Sequence, residues 1–562
     1  MSGQEANADQ VAAAIPFDES AIRRAAIANP EFVDLSFAAK AATDNERSMT
    51  LLQGIKLYPK AVGWSMLLST CIVMEGYDLV LLGSFYALPQ FQAKYGFLQP
   101  DGTKVIPARW KSGLSDGQQV GEILGLAICG LISERLGYRR TMLIALTLIT
   151  GFIFILFFSP NVQVLLVGEI LCGIPWGIFQ TITTAYASEV APVVLRPYLT
   201  TYVNMCWVFG QFIASGVLRG VLTRTDVWAY RIPFALQWFW PVPLIIGVFL
   251  APESPWWLIR HDRLEEAKKA LLRLTSQGDE SFNADETIAM ISYTNQIEKQ
   301  MAEGTTYAQC FRGVDRRRTE IACLTWLSQA MCGSAIQGFS TYFYQQAGLT
   351  STGAFDLSLG QYALGIVGTL GSWFLMSWFG RRTLYVGGLC VQFTILMVVG
   401  FVSLAPQTAT TGWATGSLIL ISTFVYDCTI GSVCYAIVAE ISSTCLKGKT
   451  IVLARNLYLM GGIINNVLVN FMITPKPSGW GWDGKAGFFY GGLCLLCILW
   501  CYFRLPEPNG RSYAELDVLF ERKISARKFA KTNVDIFNPN ELEVETEKLI
   551  HVAEHQEFAE KK

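Results

Sequence analysis

The chain repeats three short motifs in the same order and at nearly the same distance. Gly137 and Gly380 each precede a pair of arginines, and Glu189 and Glu440 each close a long apolar run. A Pro-Glu pair occurs at position 252 and again at position 506. The matching positions lie 243, 251 and 254 residues apart. Motifs that recur in order at a nearly constant offset indicate an internal duplication with a period of about 250 residues.

The composition places the duplicated unit in a membrane. Hydrophobic residues make up 52% of the 562 residues and charged residues 16%, and the mean hydropathy is +0.34. A soluble chain of this length needs more polar surface than that. The formal net charge of -1 gives no electrostatic reason to bind nucleic acid, so we predict no nucleic-acid partner.

Windows of about 20 apolar residues predict twelve membrane-spanning helices. In the first half they cover 61–89, 113–134, 141–159, 163–187, 199–221 and 232–250. In the second half they cover 320–346, 357–379, 383–404, 413–441, 451–473 and 486–504. The predicted fold is therefore an all-α membrane protein with twelve transmembrane helices in two pseudo-symmetric six-helix halves, which is typical of transporters built from parallel repeats.

The distribution of basic residues predicts how these spans are oriented in the membrane. Arg135, Arg139, Arg140, Arg381 and Arg382 follow the second and eighth spans, whereas the loops after spans 3, 7 and 9 contain no Lys or Arg. The positive-inside rule then places both termini in the cytoplasm, with the plasma membrane as the expected location. We predict five regions: a cytoplasmic tail (1–60), a bundle (61–250), a cytoplasmic linker with short helices (251–319), a second bundle (320–504) and a cytoplasmic tail (505–562). We expect the protein to function as a monomer.

Metal, cofactor and enzyme chemistry find little support in the sequence. The 14 cysteines lie mostly inside apolar runs, where they are interpreted as small packing residues, and there are only 3 histidines. No phosphate loop, nucleophile elbow or metal triad occurs. We predict no metal, no cofactor and no enzymatic activity.

Four carboxylic acids lie well away from the ends of the apolar spans of the first half: Glu75 and Asp78 in span 1, Glu122 in span 2 and Glu169 in span 4. An acid at membrane depth costs several kcal/mol unless it faces a cavity, finds a partner or takes up a proton. Glu75 and Asp78 are three residues apart and share one helix face. The four are predicted to form a proton-coupling site; the alternative is that some of them only fix helix packing by hydrogen bonds.

Two charged residues of the second half allow more than one interpretation. Asp427 in span 10 is as well explained by structural hydrogen bonding as by function. Arg455, near the inner end of span 11, could pair with an acid across the inner vestibule or extend to lipid headgroups.

Amide and aromatic side chains in the spans suit an uncharged, hydroxyl-rich ligand. A sugar needs groups that both donate and accept hydrogen bonds, together with aromatic faces against its C–H surfaces. Span 7 supplies Gln329 and Gln337, eight residues apart and predicted to share a helix face, with Tyr342 further outward. Span 5 supplies Asn204 and Gln211 on one face. The alternative is hydrogen bonding between helices, which is common for amides in membranes.

Three motifs carry a resemblance to a known family. They are Gly130-Leu-Ile-Ser-Glu-Arg-Leu-Gly-Tyr-Arg-Arg140, Pro252-Glu-Ser-Pro-Trp-Trp-Leu258 and Pro506-Glu-Pro-Asn-Gly-Arg-Ser512. In this order, the chain resembles the sugar porters of the major facilitator superfamily over residues 60 to 522. The resemblance implies the major facilitator fold and transport of a sugar by alternating access.

Further motifs resemble the fungal maltose and alpha-glucoside permeases, which are proton symporters. They are Met74-Glu-Gly-Tyr-Asp78, Cys172-Gly-Ile-Pro-Trp-Gly177, Ser340-Thr-Tyr-Phe-Tyr344 and Ile451-Val-Leu-Ala-Arg-Asn456. This likeness implies proton-coupled symport of a maltose-like sugar. It also implies transport roles for Glu75, Asp78, Glu122 and Arg455. The sugar-contacting positions that it implies are Asn204, Gln211, Gln329, Tyr435 and Tyr458.

The chain departs from the family pattern at informative places. Glu169 stands where general sugar porters carry an arginine that partners the acid of span 1, so the acids lose their usual cation. Ser377 and Trp378 replace charged residues of the second loop motif. Ala330 and Ala335 replace amides of the hexose pattern, which argues against ordinary monosaccharide recognition and leaves room for a longer sugar.

Gating is expected at the cytoplasmic ends of the helices. Arg135, Arg139, Arg140 and Glu189 are predicted to latch the outward-facing state by ion pairs, and Glu440 and Arg455 are predicted to act with them. Two alternatives to symport remain: a passive sugar facilitator, and a sugar-sensing receptor that signals through a tail.

Overall fold

The computed structural model describes residues 49–98, 104–192, 194–276, 283–302, 306–406, 408–442, 446–508, 516 and 519–532. Within these ranges the chain is almost entirely helical. One small hairpin, with β1 (Phe97–Leu98) antiparallel to β2 (Lys104–Val105), lies between spans 1 and 2. The predicted tails fall mostly outside the described residues.

Twelve spans are formed, confirming the predicted fold class, although several consist of more than one helix. The first half contains Pro59–Ser69 with Cys71–Phe85 (span 1), Ala108–Leu136 (span 2), Tyr138–Phe158 (span 3), Val162–Val190 (span 4), Arg196–Val221 (span 5) and Trp228–Leu236 with Pro241–Leu250 (span 6). The second half contains Gly313–Met331, Ser334–Gly338 and Ser340–Gln346 (span 7), Ser351–Trp378 (span 8), Arg381–Val402 (span 9), Ala409–Tyr426 with Ser432–Ile441 (span 10), Lys447–Ile473 (span 11) and Ala486–Arg504 (span 12).

Nine of these spans are long and apolar enough by composition to cross a membrane, among the residues that are described. Spans 2, 5 and 7 fall below that threshold because they carry polar side chains along their length. Span 2, for example, contains Lys111, Asp116 and Glu122. Polar side chains at membrane depth face a bundle interior or a water-filled cavity rather than lipid. By that rule spans 2, 5 and 7 turn polar faces toward the interior of the molecule.

Span 7 is not the single helix that the sequence predicts over 320–346. Gly333 adopts the left-handed conformation, with φ 94°, and separates Gly313–Met331 from Ser334–Gly338. A residue with a side chain pays for that conformation, whereas glycine does not. The inference that Gln329 and Gln337 share one helix face by their eight-residue spacing is therefore wrong, because no continuous helix joins them.

Glycines bring spans 2 and 4 into backbone contact. A Cβ on Gly121 would overlap the carbonyl oxygen of Ile170, and one on Gly173 would overlap that of Gln118. Such close approach is the usual role of small residues between membrane helices. It draws together the stretches of the two spans that carry Glu122 and Glu169.

Spans 1 and 5 approach each other in the same way. A Cβ on Gly76 would overlap the carbonyl oxygen of Trp207, and one on Gly210 would overlap that of Val73. Gly76 lies between Glu75 and Asp78, so this contact fixes the depth and orientation of both acids.

Three α-helices and a 3₁₀ helix lie in the described part of the segment between the halves: Pro255–Arg260, Leu264–Leu274, Ala284–Ala302 and Tyr307–Phe311. Ser254 caps the first, accepting a hydrogen bond from the backbone N–H of Trp257. The second buries Ala267, Ala270, Leu271 and Leu274 and leaves its charged side exposed, as its apolar spacing predicts. We call the side of the molecule that carries these helices the linker face, and the other side the opposite face.

Candidate functional site

All four predicted acids of the first half are buried. Glu75, Asp78 and Glu169 have no exposed surface, and Glu122 is 5% exposed. The carboxyl group of Glu169 lies within hydrogen-bonding reach of that of Asp78, and Glu122 interacts electrostatically with Glu75. The structure thus brings the four together as two adjoining pairs, which we call the acid cluster.

Hydrogen bonds to the acid cluster are incomplete. Gln237, in the short 3₁₀ segment that interrupts span 6, donates to Oδ1 of Asp78, and Gln118 donates to Oε1 of Glu122 over 3.3 Å. Apart from the contact between the two carboxyl groups, Oδ2 of Asp78 and both carboxyl oxygens of Glu169 have no hydrogen-bond partner among the described residues. A buried carboxylate without partners costs several kcal/mol, and taking up a proton removes that cost.

A chain of hydrogen bonds links the acid cluster to the second half. Nη2 of Arg455 donates to Oε1 of Gln180 over 2.5 Å, and Nε2 of Gln180 donates to Oε1 of Glu75 over 2.5 Å. Gln180 belongs to span 4 and Arg455 to span 11, so the chain crosses between the halves. Of the two alternatives for Arg455, the structure shows the one in which it reaches an acid, with Gln180 as the bridge.

Aromatic rings surround Arg455. Its guanidinium carbon lies 5.0 Å from the ring centroid of Tyr458 and 5.6 Å from that of Trp326. Tyr435 packs edge-on to Trp326, with ring centroids 5.6 Å apart. Tyr435 is nevertheless 42% exposed, although it sits among these groups. A ring that is exposed next to an interior cation borders a space open to water, and its face is available to the C–H surface of a ligand.

Asn204 and Gln211 of span 5 are half-buried. Within the described ranges, neither side chain has a hydrogen-bond partner in the protein. Amides with unused donors and acceptors suit a ligand rich in hydroxyl groups. Their predicted role in binding sugar stays a prediction.

Gln329 and Gln337 of span 7 have partners within the second half. Nε2 of Gln329 donates to the carbonyl oxygen of Gly431 over 3.2 Å, and Nε2 of Gln337 donates to Oγ of Ser422 over 2.9 Å. These are the interhelical hydrogen bonds that form the alternative to sugar contact. Oε1 of Gln329 has no partner among the described residues and remains available.

Asp427, the second-half acid that the sequence left open, begins a π-helical turn, Asp427–Gly431, in span 10. It is 8% exposed and lies close to Gly365 and Gly368 of span 8. A π turn inside an α-helix is found most often at functional sites. The structure places Asp427 apart from the acid cluster, in the other half.

The opposite face is closed by contacts between the halves. Oγ of Ser84 and Oγ1 of Thr341 lie 2.9 Å apart, and Nε2 of Gln345 donates to the carbonyl oxygen of Ala87 over 2.9 Å. Arg219 of span 5 and Asp356 of span 8 form an ion pair. The conformation is thus sealed on this side.

Lys111 takes part in that seal and was not predicted as a site residue. The sequence suggests a loop lysine, but the structure buries it completely in span 2. Its Nζ lies 3.6 Å from the ring centroid of Tyr342 and 3.3 Å from Oγ1 of Thr474, both in the second half. Tyr342, predicted to bind sugar, therefore lies under a lysine in this conformation.

Glu189 on the linker face binds groups other than the predicted arginines. Its carboxylate accepts hydrogen bonds from Nη2 of Arg260 over 2.8 Å, from the hydroxyl of Tyr138 over 2.9 Å and from Ser254. Arg139 instead donates to the carbonyl oxygen of Phe249. Arg135 and Arg140 are exposed. In the second half, Arg381 pairs with Glu440 over 3.3 Å. The predicted latch of an outward-facing state is untested in a conformation sealed on the opposite face.

Gln180 and Gln237 are the clearest residues that sequence reasoning missed. Each is an amide inside an apolar span, the signal used for spans 5 and 7 but not applied to spans 4 and 6. Which acid each would meet depends on how the helices rotate against one another, and a single sequence does not give that rotation.

Comparisons with known proteins agree with this architecture. Residues 64–520 match the model of a family described as "Sugar (and other) transporter". The chain is 44% identical over 505 residues to the general alpha-glucoside permease of Saccharomyces cerevisiae, covering 89% of this chain and 81% of that protein. It is 41% identical over 515 residues to maltose permease MAL61 of the same organism, covering 90% and 83%.

Solved structures share the fold at low sequence identity. The inward-open xylose transporter XylE of E. coli superimposes with a TM-score of 0.65 at 18% identity, covering 82% of this chain and 99% of that one. The proton:xylose symporter XylE bound to 6-bromo-6-deoxy-D-glucose gives a TM-score of 0.66 at 19% identity, covering 83% and 100%.

Proposed function

Since this chain belongs to the sugar transporter family, a family of transporters and not of enzymes, we propose that it carries an alpha-glucoside and a proton together across a membrane by alternating access. The substrate class rests on its similarity to proteins named as alpha-glucoside and maltose permeases. The observation that carries the coupling is the chain from Glu75 through Gln180 to Arg455. It ties a buried acid in one half to a cation in the other, beside the exposed ring of Tyr435.

The acid cluster supplies the proton site in this proposal. Asp78 and Glu169 adjoin each other, and apart from this contact three of their four oxygens have no partner among the described residues. Two adjacent buried carboxyl groups cannot both stay ionised at low cost, so they share a proton. When the halves rock and water reaches the cluster from the other side, the ionised form becomes less costly and the proton leaves.

Arg455 links proton occupancy to sugar occupancy. While Glu75 is ionised, Gln180 is held between the carboxylate and the guanidinium. Protonation of Glu75 weakens that hydrogen bond, since a charge-assisted bond is about twice as strong as a neutral one. Gln180 and the rings of Tyr435 and Tyr458 are then free to meet the sugar, together with Asn204 and Gln211.

The present conformation is proposed to face the cytoplasm. Sealing on the opposite face, by Lys111, Thr341 and the Arg219–Asp356 ion pair, leaves the linker face as the route for exchange. In the outward-facing state these contacts break. Arg135, Arg139, Arg140, Glu189 and Glu440 are then proposed to hold the linker face closed.

The remaining assignments are part of the same proposal. The regions 1–60, 251–319 and 505–562 are taken as cytoplasmic, the two bundles as 61–250 and 320–504, the location as the plasma membrane and the working unit as a monomer. The linker face carries the basic loops that the positive-inside rule assigns to the cytoplasm.

Uptake by purified protein in sealed vesicles tests the function. Labelled maltose, trehalose, sucrose and glucose are offered with and without an inward proton gradient. We expect maltose or another alpha-glucoside to accumulate above equilibrium only with the gradient. Equilibration without accumulation would identify a passive facilitator, and binding without any flux would identify a receptor.

A further inference from the structure

The linker face of the first half contains a cavity of about 450 Å³, separate from the acid cluster. It lies between the turn that joins spans 2 and 3, the end of span 6 and the linker helix Leu264–Leu274. Leu143 and Phe249 contribute apolar walls. Five basic side chains line it: Arg139, Arg140, Arg263, Lys269 and Arg273.

The two acids of this cavity are engaged by other groups. Both carboxyl oxygens of Glu266 are held by Arg263 over 2.6 Å. Glu253 accepts hydrogen bonds from the backbone N–H groups of Tyr138 over 3.0 Å and Arg139 over 3.1 Å. Burial also raises the pKa of the Glu253 carboxyl, and its hydrogen bonds direct it at the backbone rather than into the cavity.

Lys269 and Arg140 supply the uncompensated charge. Both are exposed, and neither has an acidic partner among the described residues. Arg273 donates to the carbonyl oxygen of Leu250 over 2.5 Å, which leaves its other guanidinium nitrogens free for a ligand. The cavity is therefore positive and rich in hydrogen-bond donors.

The basic surface continues toward span 1. A second cavity of about 430 Å³ is lined by Lys60, Gly63, Trp64, Leu67 and Arg273. Arg273 borders both cavities and so joins them. Lysine together with tryptophan at the end of a membrane helix is typical of the lipid–water interface.

Apolar surface runs directly up to the first cavity. On the last turns of span 6, Ile246 is 60% exposed, Phe249 61% and Leu250 54%. Exposed apolar side chains on a membrane helix face acyl chains. The cavity thus lies where acyl chains meet headgroups, with apolar contacts below and basic groups above.

We propose that this cavity binds the headgroup of an anionic phospholipid from the leaflet at the linker face. Its phosphate lies among Arg140, Lys269 and Arg273, and its acyl chains run along Phe249 and Ile246. Basic side chains near an anionic membrane surface attract its headgroups. Acyl chains that run along the apolar side chains add a hydrophobic contribution that a free phosphate compound lacks.

Native mass spectrometry of the full chain in detergent tests the proposal. Phosphatidylserine and phosphatidylcholine with identical acyl chains are added at equal concentrations. We expect the wild-type chain to retain at least about threefold more phosphatidylserine, the ratio that about 0.7 kcal/mol of charge preference gives. Equal retention of the two lipids would overturn the proposal.

Lys268 offers a matched control one residue away. It is paired with Asp285 over 2.6 Å and does not line the cavity. Lys269→Gln and the double variant with Arg273→Gln are expected to lose the preference for phosphatidylserine, whereas Lys268→Gln and Lys269→Arg keep it. If Lys268→Gln loses as much as Lys269→Gln, the cavity is not the site. The single variant Lys269→Gln decides the matter should the double variant not fold.

Soluble competitors separate a lipid from a free phosphate. Inorganic phosphate and glycerophosphoserine are added to the wild-type chain already loaded with phosphatidylserine. We expect neither to displace the lipid at millimolar concentration. Displacement by inorganic phosphate would show a site for free anions and would contradict a lipid site.

Discussion

The two halves share a framework on the linker face but differ in the interior. In the first half Glu253 accepts hydrogen bonds from the backbone N–H groups of Tyr138 and Arg139 at the start of span 3. In the second half Glu507 accepts a hydrogen bond from the backbone N–H of Arg382 at the start of span 9. The acid cluster, by contrast, belongs entirely to the first half. Duplication preserved the parts that hold helix ends in place, while the chemistry of the interior diverged.

The two halves also differ in the cationic side chain that each contributes near the acid cluster. Arg455 of the second half points its guanidinium across the interface at Gln180 of the first. The first half supplies carboxylates, and the second supplies the arginine and the aromatic rings around it. Neither half holds a complete site, so coupling between proton and sugar requires that the halves move as partners. The predictions below test this division, starting with the largest expected effect.

Replacing Asp78 with Asn tests where the proton site lies. The amide keeps the shape but cannot exchange a proton, so accumulation of maltose under a proton gradient should fall to the level of passive leak. Asp427→Asn in the second half should retain accumulation. Uptake of labelled sugar into vesicles measures both variants. Equal loss of accumulation in the two variants would contradict a proton site that lies in the first half alone.

Gln180→Leu tests the bridge between the halves. The substitution removes both hydrogen bonds and leaves Glu75 and Arg455 without their shared partner. A hydrogen bond to a charged group contributes about 1.5–3 kcal/mol, so coupled uptake should fall by about 10- to 100-fold. Exchange of labelled for unlabelled sugar, which needs no net proton movement, should fall less. A parallel loss in both assays would mean that the bridge serves binding and not coupling.

Lys111→Met tests the seal on the opposite face. The lysine is buried against Tyr342 and Thr474, with no carboxylate partner among the described residues. A buried charge without an ionic partner carries a desolvation cost of several kcal/mol, which an apolar side chain of similar shape avoids. We expect a higher apparent Tm together with slower net uptake, because the sealed state opens less readily. A lower Tm with unchanged uptake would show that the lysine only supports packing.

Glu253→Gln and Glu507→Gln compare the shared framework directly. Each change removes a negative charge from the N-terminal end of a helix, where it contributes about 0.3–1 kcal/mol. The two variants should lower the apparent Tm by similar, small amounts and leave the proton-to-sugar ratio unchanged. A large drop in apparent Tm for one variant alone would show that the contacts of Glu253 and Glu507 with the helix ends are not equivalent.

The fold followed from the sequence because length, apolar windows and recurring motifs each point to two bundles of six. The acids also followed, since Glu75, Asp78, Glu122 and Glu169 stand out against an apolar background. Which acid meets which partner did not follow. Gly121, Gly173 and Gly210 set helix separations that decide this, and their effect appears only once the helices are packed.

The predictions of a continuous span 7 and of a loop position for Lys111 were wrong for related reasons. Periodicity alone predicts a continuous helix through Gly333, and only the left-handed backbone there shows the interruption. Lys111 precedes the apolar window of span 2, so hydropathy assigns it to a loop. The helix actually begins at Ala108 and carries the lysine into the interface with Tyr342.

Proton movement driven by sugar is the most direct test of the proposed coupling. Purified protein is sealed in vesicles with a pH-sensitive dye inside and no initial gradient, and maltose is then added outside. The account predicts that the lumen acidifies as maltose enters, and that Asp78→Asn abolishes the acidification. Entry of maltose with no change of internal pH would contradict it.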